Sequence, residues 1–215
     1  MNPNTTALVL IEFQNDFTTP GGSLHEAVRA VMHQTDMLAN TVELVRKARN
    51  YGATILHLPI SFTDNYRELS RQPYGILKGV VDSNSFRQGS WGAEIVEALR
   101  PEPRDLIIEG KRGLDGFGST NLDFVLRQRG ITHLALAGFL TNCCVESTMR
   151  TAYELGYQVY TLTDCTATVS EEEQRLACEK NFPMFSYPMT HTELLAHLAT
   201  AEDEEIFQES RGYNR

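Results

Sequence analysis

The sequence predicts an α/β chain built as a three-layer α/β/α sandwich. Short apolar runs alternate with longer amphipathic segments, the order of βαβ units that lay parallel strands side by side. Helix-ending glycines and helix-opening capping boxes fall between those runs, where such units need them. At 215 residues, 41% of them hydrophobic and 22% charged, the chain is long enough for one domain with a full core.

Ala7 to Ile11 is the first buried strand. Met37, Leu38, Val42, Val45 and Ala48 repeat at helical spacing, and Gly52 closes that helix before a second strand, Thr54 to Leu58. From Ile60 to Leu99 the pattern weakens: Ala93 to Leu99 reads as helix and the remainder as loop, a length that in a small domain serves function or a subunit contact. Leu106 to Ile108 is a third strand. A helix marked by Leu122, Val125 and Leu126 is capped by Ser119 or Thr120 and ended by Gly130, before the strand Leu134 to Ala137. Val145, Met149 and Ala152 mark a helix closed by Gly156, and Val159 to Leu162 is a fifth strand. Ser170-Glu171-Glu172-Glu173 and Thr190-His191-Thr192-Glu193 are capping boxes, the first opening a helix that stops before Pro183. A sixth strand is expected at Met184 to Ser186. The domain is expected to end near residue 200, with 201–215, carrying five acids and two arginines, forming an acidic tail or an arm on a neighbour.

Net charge is −9, which argues against a nucleic-acid partner, since such proteins present basic surface to phosphates. The longest apolar run, Leu134 to Leu140, falls far short of the roughly 18 residues that span a bilayer, so no membrane helix is expected. Met1 to Thr6 has neither the cationic nor the apolar part of a secretory signal, which points to the cytoplasm. Cys143, Cys144, Cys165 and Cys178 form no CxxC pair and no zinc-ligand spacing, and are expected as thiols. No glycine-rich phosphate loop is present.

In open parallel sheets ligands bind beyond the carboxyl ends of strands. Three strand ends carry groups able to react there: Glu12, Lys111 and the pair Cys143-Cys144. Cysteine supplies the nucleophile in such a set, and a helix N-terminus is able to lower a thiol's pKa. Each also has a plainer reading, a buried small hydrophobe for a cysteine and a solvated charge for Lys111. Glu12 is harder to dismiss, because a charge at the end of a buried strand has to find a partner.

Leu10-Ile11-Glu12-Phe13-Gln14-Asn15-Asp16-Phe17 resembles the opening motif of the isochorismatase-like cysteine hydrolases, and Gly138 to Thr148 resembles their nucleophile segment. Lys111 stands in the expected middle position, followed by a similar stretch, Gly116 to Leu126. The resemblance runs from about Leu8 to Ser186. It implies a six-stranded, mainly parallel, Rossmann-like sheet and a homo-oligomer, dimer or tetramer. Residue by residue it implies a triad of Glu12, Lys111 and Cys144, with Cys143, Cys165 and Cys178 as packing residues. It also implies a cis peptide bond at Phe139–Leu140 that aims the Leu140 N–H, beside that of Cys144, at a developing oxyanion.

The family's acid is normally aspartate, and Glu12 is longer by one C–C bond, about 1.5 Å. The implied activity is hydrolysis of a C–N bond in a small amide, ureide or carbamoyl compound through a thioester. The alternatives are a vinyl-ether hydrolase of isochorismatase type and a non-catalytic binder with an altered triad. No cofactor and no metal are expected, since the histidines follow no ligand spacing and the DxH motif of nicotinamidase relatives is missing after Leu58. Phe17, Tyr66, Trp91, Phe117 and Phe139 are candidate walls for the small-molecule substrate's pocket, each equally readable as a packing residue. Arg112 is placed either to recognise a substrate carboxylate or to face solvent.

Overall fold

In the computed structural model, which describes residues 1–199, six strands form one parallel sheet. They are β1 (Thr6–Ile11), β2 (Thr54–Leu58), β3 (Leu106–Ile107), β4 (His133–Phe139), β5 (Gln158–Ala167) and β6 (Tyr187–Met189), in the order β3-β2-β1-β4-β5-β6. The helices are α1 (Asn15–Thr18), α2 (His25–Gln34), α3 (Met37–Asn50), α4 (Gly75–Asp82), α5 (Leu122–Gln128), α6 (Glu146–Glu154), α7 (Glu171–Leu176) and α8 (191–199). The tail assigned to 201–215 lies outside the described residues.

Strand alternation sorts the core into two layers. Leu8 and Leu10 of β1 pack with Val28 and Val31 of α2, Leu44 and Val45 of α3 and Leu194 and Leu198 of α8. Ala7, Val9 and Ile11 face the opposite layer, where Leu122 and Leu126 of α5, Met149 and Ala152 of α6 and Ala177 after α7 are buried. Both faces of the sheet are therefore covered, which is why β1 and β4 read as unbroken apolar runs. The expected sandwich is the one observed. No helix among the described residues is long and apolar enough to cross a membrane.

Four elements differ from the sequence reading. The sixth strand is Tyr187–Met189, and Met184 to Ser186 instead belongs to a 3₁₀ turn and the bend after it. Proline at 188 is tolerated because β6 is an edge strand. Ala93 to Leu99 is not one helix but parts of two short 3₁₀ turns. Within the segment read as loop, α4 forms despite its two glycines, and α2 appears in a stretch where no helix was read. Of the two capping boxes, the second forms in full, Thr190 and Glu193 bonding reciprocally, and the first forms its serine half, Ser170 Oγ accepting from Glu173 N at 3.2 Å.

The strand order reverses at β1 and β4, so connections leave their carboxyl ends in opposite directions and open a crevice there. Gly138 makes the closeness possible. It pairs with Ile11 across the two strands, at φ 133°, and a Cβ on it would lie 2.0 Å from the Ile11 carbonyl oxygen.

Candidate active site

Glu12 is the first residue beyond β1 and adopts a left-handed backbone, φ 58°. Its N–H donates to the Leu58 carbonyl at 3.1 Å, and its own carbonyl accepts from Gln14 N at 2.7 Å, so the turn is held from both sides. The side chain is buried. Its Oε1 forms an ion pair with Lys111 Nζ at 2.6 Å and receives no well-angled hydrogen bond. Lys111 is fully buried, and its ammonium also donates to the carbonyls of Gly113 and, at 3.0 Å, Leu114. Burial alone would lower the lysine pKa, but the Glu12 carboxylate and the nearby thiols outweigh it and hold it above its ordinary value.

Cys144 lies in a single π-type turn, Thr141–Val145, between β4 and α6. Such turns insert one extra residue and occur often at functional sites. Thr148 braces it: its hydroxyl donates to the Cys144 carbonyl at 2.7 Å and accepts from Gly116 N at 2.9 Å. The thiol is buried, and a hydrogen bond with Cys143, burial and the Glu12 charge push its pKa well up, with Lys111 opposing. The helix-terminus effect expected from the sequence is thus overridden. Burial and the neighbouring Glu12 charge both favour the protonated form of the Cys144 sulfur over the thiolate.

Glu12, Cys144 and Leu140 line one cavity of about 230 Å³, with Lys111 behind Glu12. The Phe139–Leu140 peptide bond is cis. Of the five side chains named as pocket walls, and Arg112 beside them, this lining takes Phe17 alone. Phe139 is buried beneath it, stacked on Phe17 with centroids 4.9 Å apart. The Tyr66 hydroxyl donates to the Ser85 carbonyl at 2.8 Å, Trp91 is half exposed, and Phe117 stacks on Tyr157. Arg112 turns to Glu68 at 3.4 Å, to Ser61 and to the Lys111 carbonyl. The walls come instead from α2 and α4, through residues such as Val28, Leu77 and Val80, and from Phe86.

Three polar residues after Glu12 hold the rim, a role not read from the sequence. The Gln14 amide donates to the carbonyls of Ile60 and Ala93 and accepts from Ile60 N; Asn15 donates to the Trp91 carbonyl. Asp16 accepts from Ser23 N and Oγ and, at 2.7 Å, from Phe86 N. The available signal was three hydrophilic residues in a row against a buried strand, which burial forces to find partners.

One group among the described residues brings metal-competent atoms within 4.8 Å of one another: Asp164, Cys165 and His191. Asp164 already accepts from the His191 backbone N–H at 2.8 Å and contacts its Nδ1 at 2.6 Å, so the carboxylate caps the start of α8.

The chain matches the Isochorismatase domain over residues 6–193. It is similar to a cysteine hydrolase from Pseudomonas syringae pv. phaseolicola, at 25% identity and TM-score 0.82, with 94% of this chain and 95% of that one covered. An isochorismatase family protein from Burkholderia thailandensis is 28% identical, at TM-score 0.74 and 93% and 97% coverage. N-carbamoylsarcosine amidase from Thermoplasma acidophilum shares the fold, at 21% identity, TM-score 0.68 and 89% and 97% coverage. With a buried acid, lysine and cysteine gathered where β1 and β4 diverge, and a domain match over nearly all of the described residues, the chain belongs to the isochorismatase family and has its hydrolase fold.

Proposed function

We propose that this protein is a cysteine-dependent hydrolase that cleaves a C–N bond of a small amide, ureide or carbamoyl compound through a thioester. The observation that carries this reading is that Cys144 and Glu12 line the same small cavity while Lys111 is locked against Glu12. The likeness to a cysteine hydrolase at 25% identity supports it.

Glu12 takes the proton of the Cys144 thiol, and Sγ attacks the substrate carbonyl carbon, forming a C–S bond and an oxyanion that the N–H groups of Leu140 and Cys144 stabilise. The oxyanion collapses, the C–N bond breaks, and the amine leaves with the proton held by Glu12. Glu12 then takes a proton from water, whose oxygen attacks the thioester. The C–S bond breaks, the acid is released, and the proton returns to sulfur. Lys111 holds Glu12 in place through their ion pair and counters the charge on sulfur. The protein acts in the cytoplasm as a homo-oligomer, which sedimentation equilibrium measures directly.

An ammonia-release screen across amides and ureides, comparing the wild type with Cys144→Ser and Glu12→Gln, tests the reading. Turnover lost in both variants is the expected result. Pyruvate release from isochorismate that survives Cys144→Ala would overturn it in favour of vinyl-ether hydrolysis.

A further inference from the structure

Thirteen of the fifteen residues lining the Cys144 cavity are apolar, the two others being Glu12 and Cys144 themselves. Among the described residues, no cation and no side-chain hydroxyl or amide faces into it. Lys111 is occupied by Glu12 and two carbonyls, and Arg112 is turned away to Glu68. Arg87, next to the lining residue Phe86, has a buried Nε without a hydrogen-bond partner but does not line the cavity. A carboxylate on the substrate would therefore lose its hydration to hydrocarbon, next to a second carboxylate and without a counter-ion. An ammonium group would lose its hydration in the same way, with only an already paired Glu12 to meet it.

Size narrows the class further. At about 30 Å³ per non-hydrogen atom, the share of a water molecule in the liquid, 230 Å³ holds roughly eight such atoms. Three belong to the amide group, leaving about five for what it carries.

We infer that the substrate is an uncharged carboxamide with an apolar substituent of about five carbon atoms, and that Leu77 and Val80 of α4 set this preference. The inference rests on the proposed role of Cys144. The net reaction consumes R–CO–NH2 and water and yields R–COOH and ammonia. Leu77 and Val80 act because α4 closes the cavity over the reacting thiol: Val80 is its one buried residue, and Leu77, half buried, tolerates a longer side chain.

The test compares hexanamide with adipamic acid, the same chain ending in a carboxylate, and with 6-methylheptanamide, the uncharged isostere of adipamic acid that separates charge from size, for ammonia release and for protection of Cys144 against iodoacetamide, followed by peptide mass spectrometry. We expect kcat/KM for hexanamide to exceed that for adipamic acid by about 100-fold or more, and hexanamide but not adipamic acid to slow alkylation of Cys144. Leu77→Arg should narrow that ratio about tenfold or more by supplying a counter-ion. Val80→Lys is the second variant if Leu77→Arg does not fold. Adipamic acid cleaved as fast as hexanamide, in a Cys144-dependent way, overturns the inference and leaves the hydrolase standing. Loss of adipamic acid turnover in Arg87→Met would then identify Arg87 as the missing cation. Hexanamide that neither turns over nor protects Cys144 also overturns the inference. Hexanamide turnover unchanged in Cys144→Ser instead overturns the hydrolase reading while the cavity preference holds.

Discussion

A glutamate at φ 58° sits in a region that side chains with a Cβ seldom occupy, at a cost of about 1–3 kcal/mol. Its neighbours enforce it: hydrogen bonds fix the turn on both sides, and the carboxylate is drawn to a lysine that has no exposure of its own. Glu12→Gln leaves the Lys111 charge buried without a counter-ion, so we expect a loss of about 3–5 kcal/mol in urea unfolding, most of it recovered in the double variant Glu12→Gln/Lys111→Met. An undisturbed midpoint in the single variant would show that the pair is not the buried contact described here. For activity, Glu12→Gln should lower kcat by about 10²–10⁴, the usual contribution of a general base, measured on the best amide in the screen. The placement of Glu12, Lys111 and Cys144 beyond strand ends was legible in the sequence because each follows an apolar strand directly or by a few residues. The upward push on the Cys144 pKa was not, because it depends on a hydrogen bond with Cys143, on burial and on the Glu12 charge, which only the folded chain brings together.

At the scale of elements, β1 and β4 touch where Gly138 faces Ile11. Gly138→Ala puts a methyl group 2.0 Å from a strand carbonyl at a φ that alanine resists, so we expect destabilisation at or above the upper end of the about 1–3 kcal/mol typical of overpacking, read as a lowered urea midpoint. Soluble protein with an unchanged midpoint would mean that the two strands have room to part. At the other end of the scale, Ser170→Ala removes one capping bond to Glu173 N and should cost about 1 kcal/mol. Strands and capping boxes were legible because their signals are local: alternation, apolar runs, and a Ser or Thr three residues before Glu. The helix α4 was not. Its two glycines and absent side-chain cap disfavour a helix locally, and packing of Val80, Leu77 and Val81 against the core compensates. The pocket walls were misread for the same reason, since the residues that form them come from α2 and α4, the helices the local pattern did not disclose.

Across the whole molecule, one buried network joins helix to sheet. Arg49 of α3 pairs with Asp105 just before β3, and Asp105 Oδ2 lies 3.3 Å from Nε2 of His57 in β2. Burial, helped by the Arg49 charge, outweighs the pull of Asp105 and holds His57 below its ordinary pKa of 6.5. The folded state therefore resists a proton that the unfolded chain accepts. Stability is full above about pH 6.5 and declines as pH falls from there toward the folded value. His133 is shifted in the same direction and adds to the slope. We expect urea midpoints to fall between pH 7 and pH 5 in the wild type and to fall less in His57→Gln; parallel curves for the two proteins would remove His57 as a source of the slope. The sheet order and its two-sided core followed from the βαβ pattern, whereas this network joins residues 49, 57 and 105, whose meeting no local spacing encodes.

The run Gln14-Asn15-Asp16 divides the cavity's surroundings into two kinetic classes. It pins the segments at Ile60, Phe86, Trp91 and Ala93 through side-chain hydrogen bonds, while α4 has a single buried residue and begins at Gly75, φ 60°. Backbone amides of the pinned rim should exchange with deuterium slowly and those of α4 quickly, so that traffic between the thiol and solvent passes beneath α4 and its opening rate becomes an upper bound on turnover.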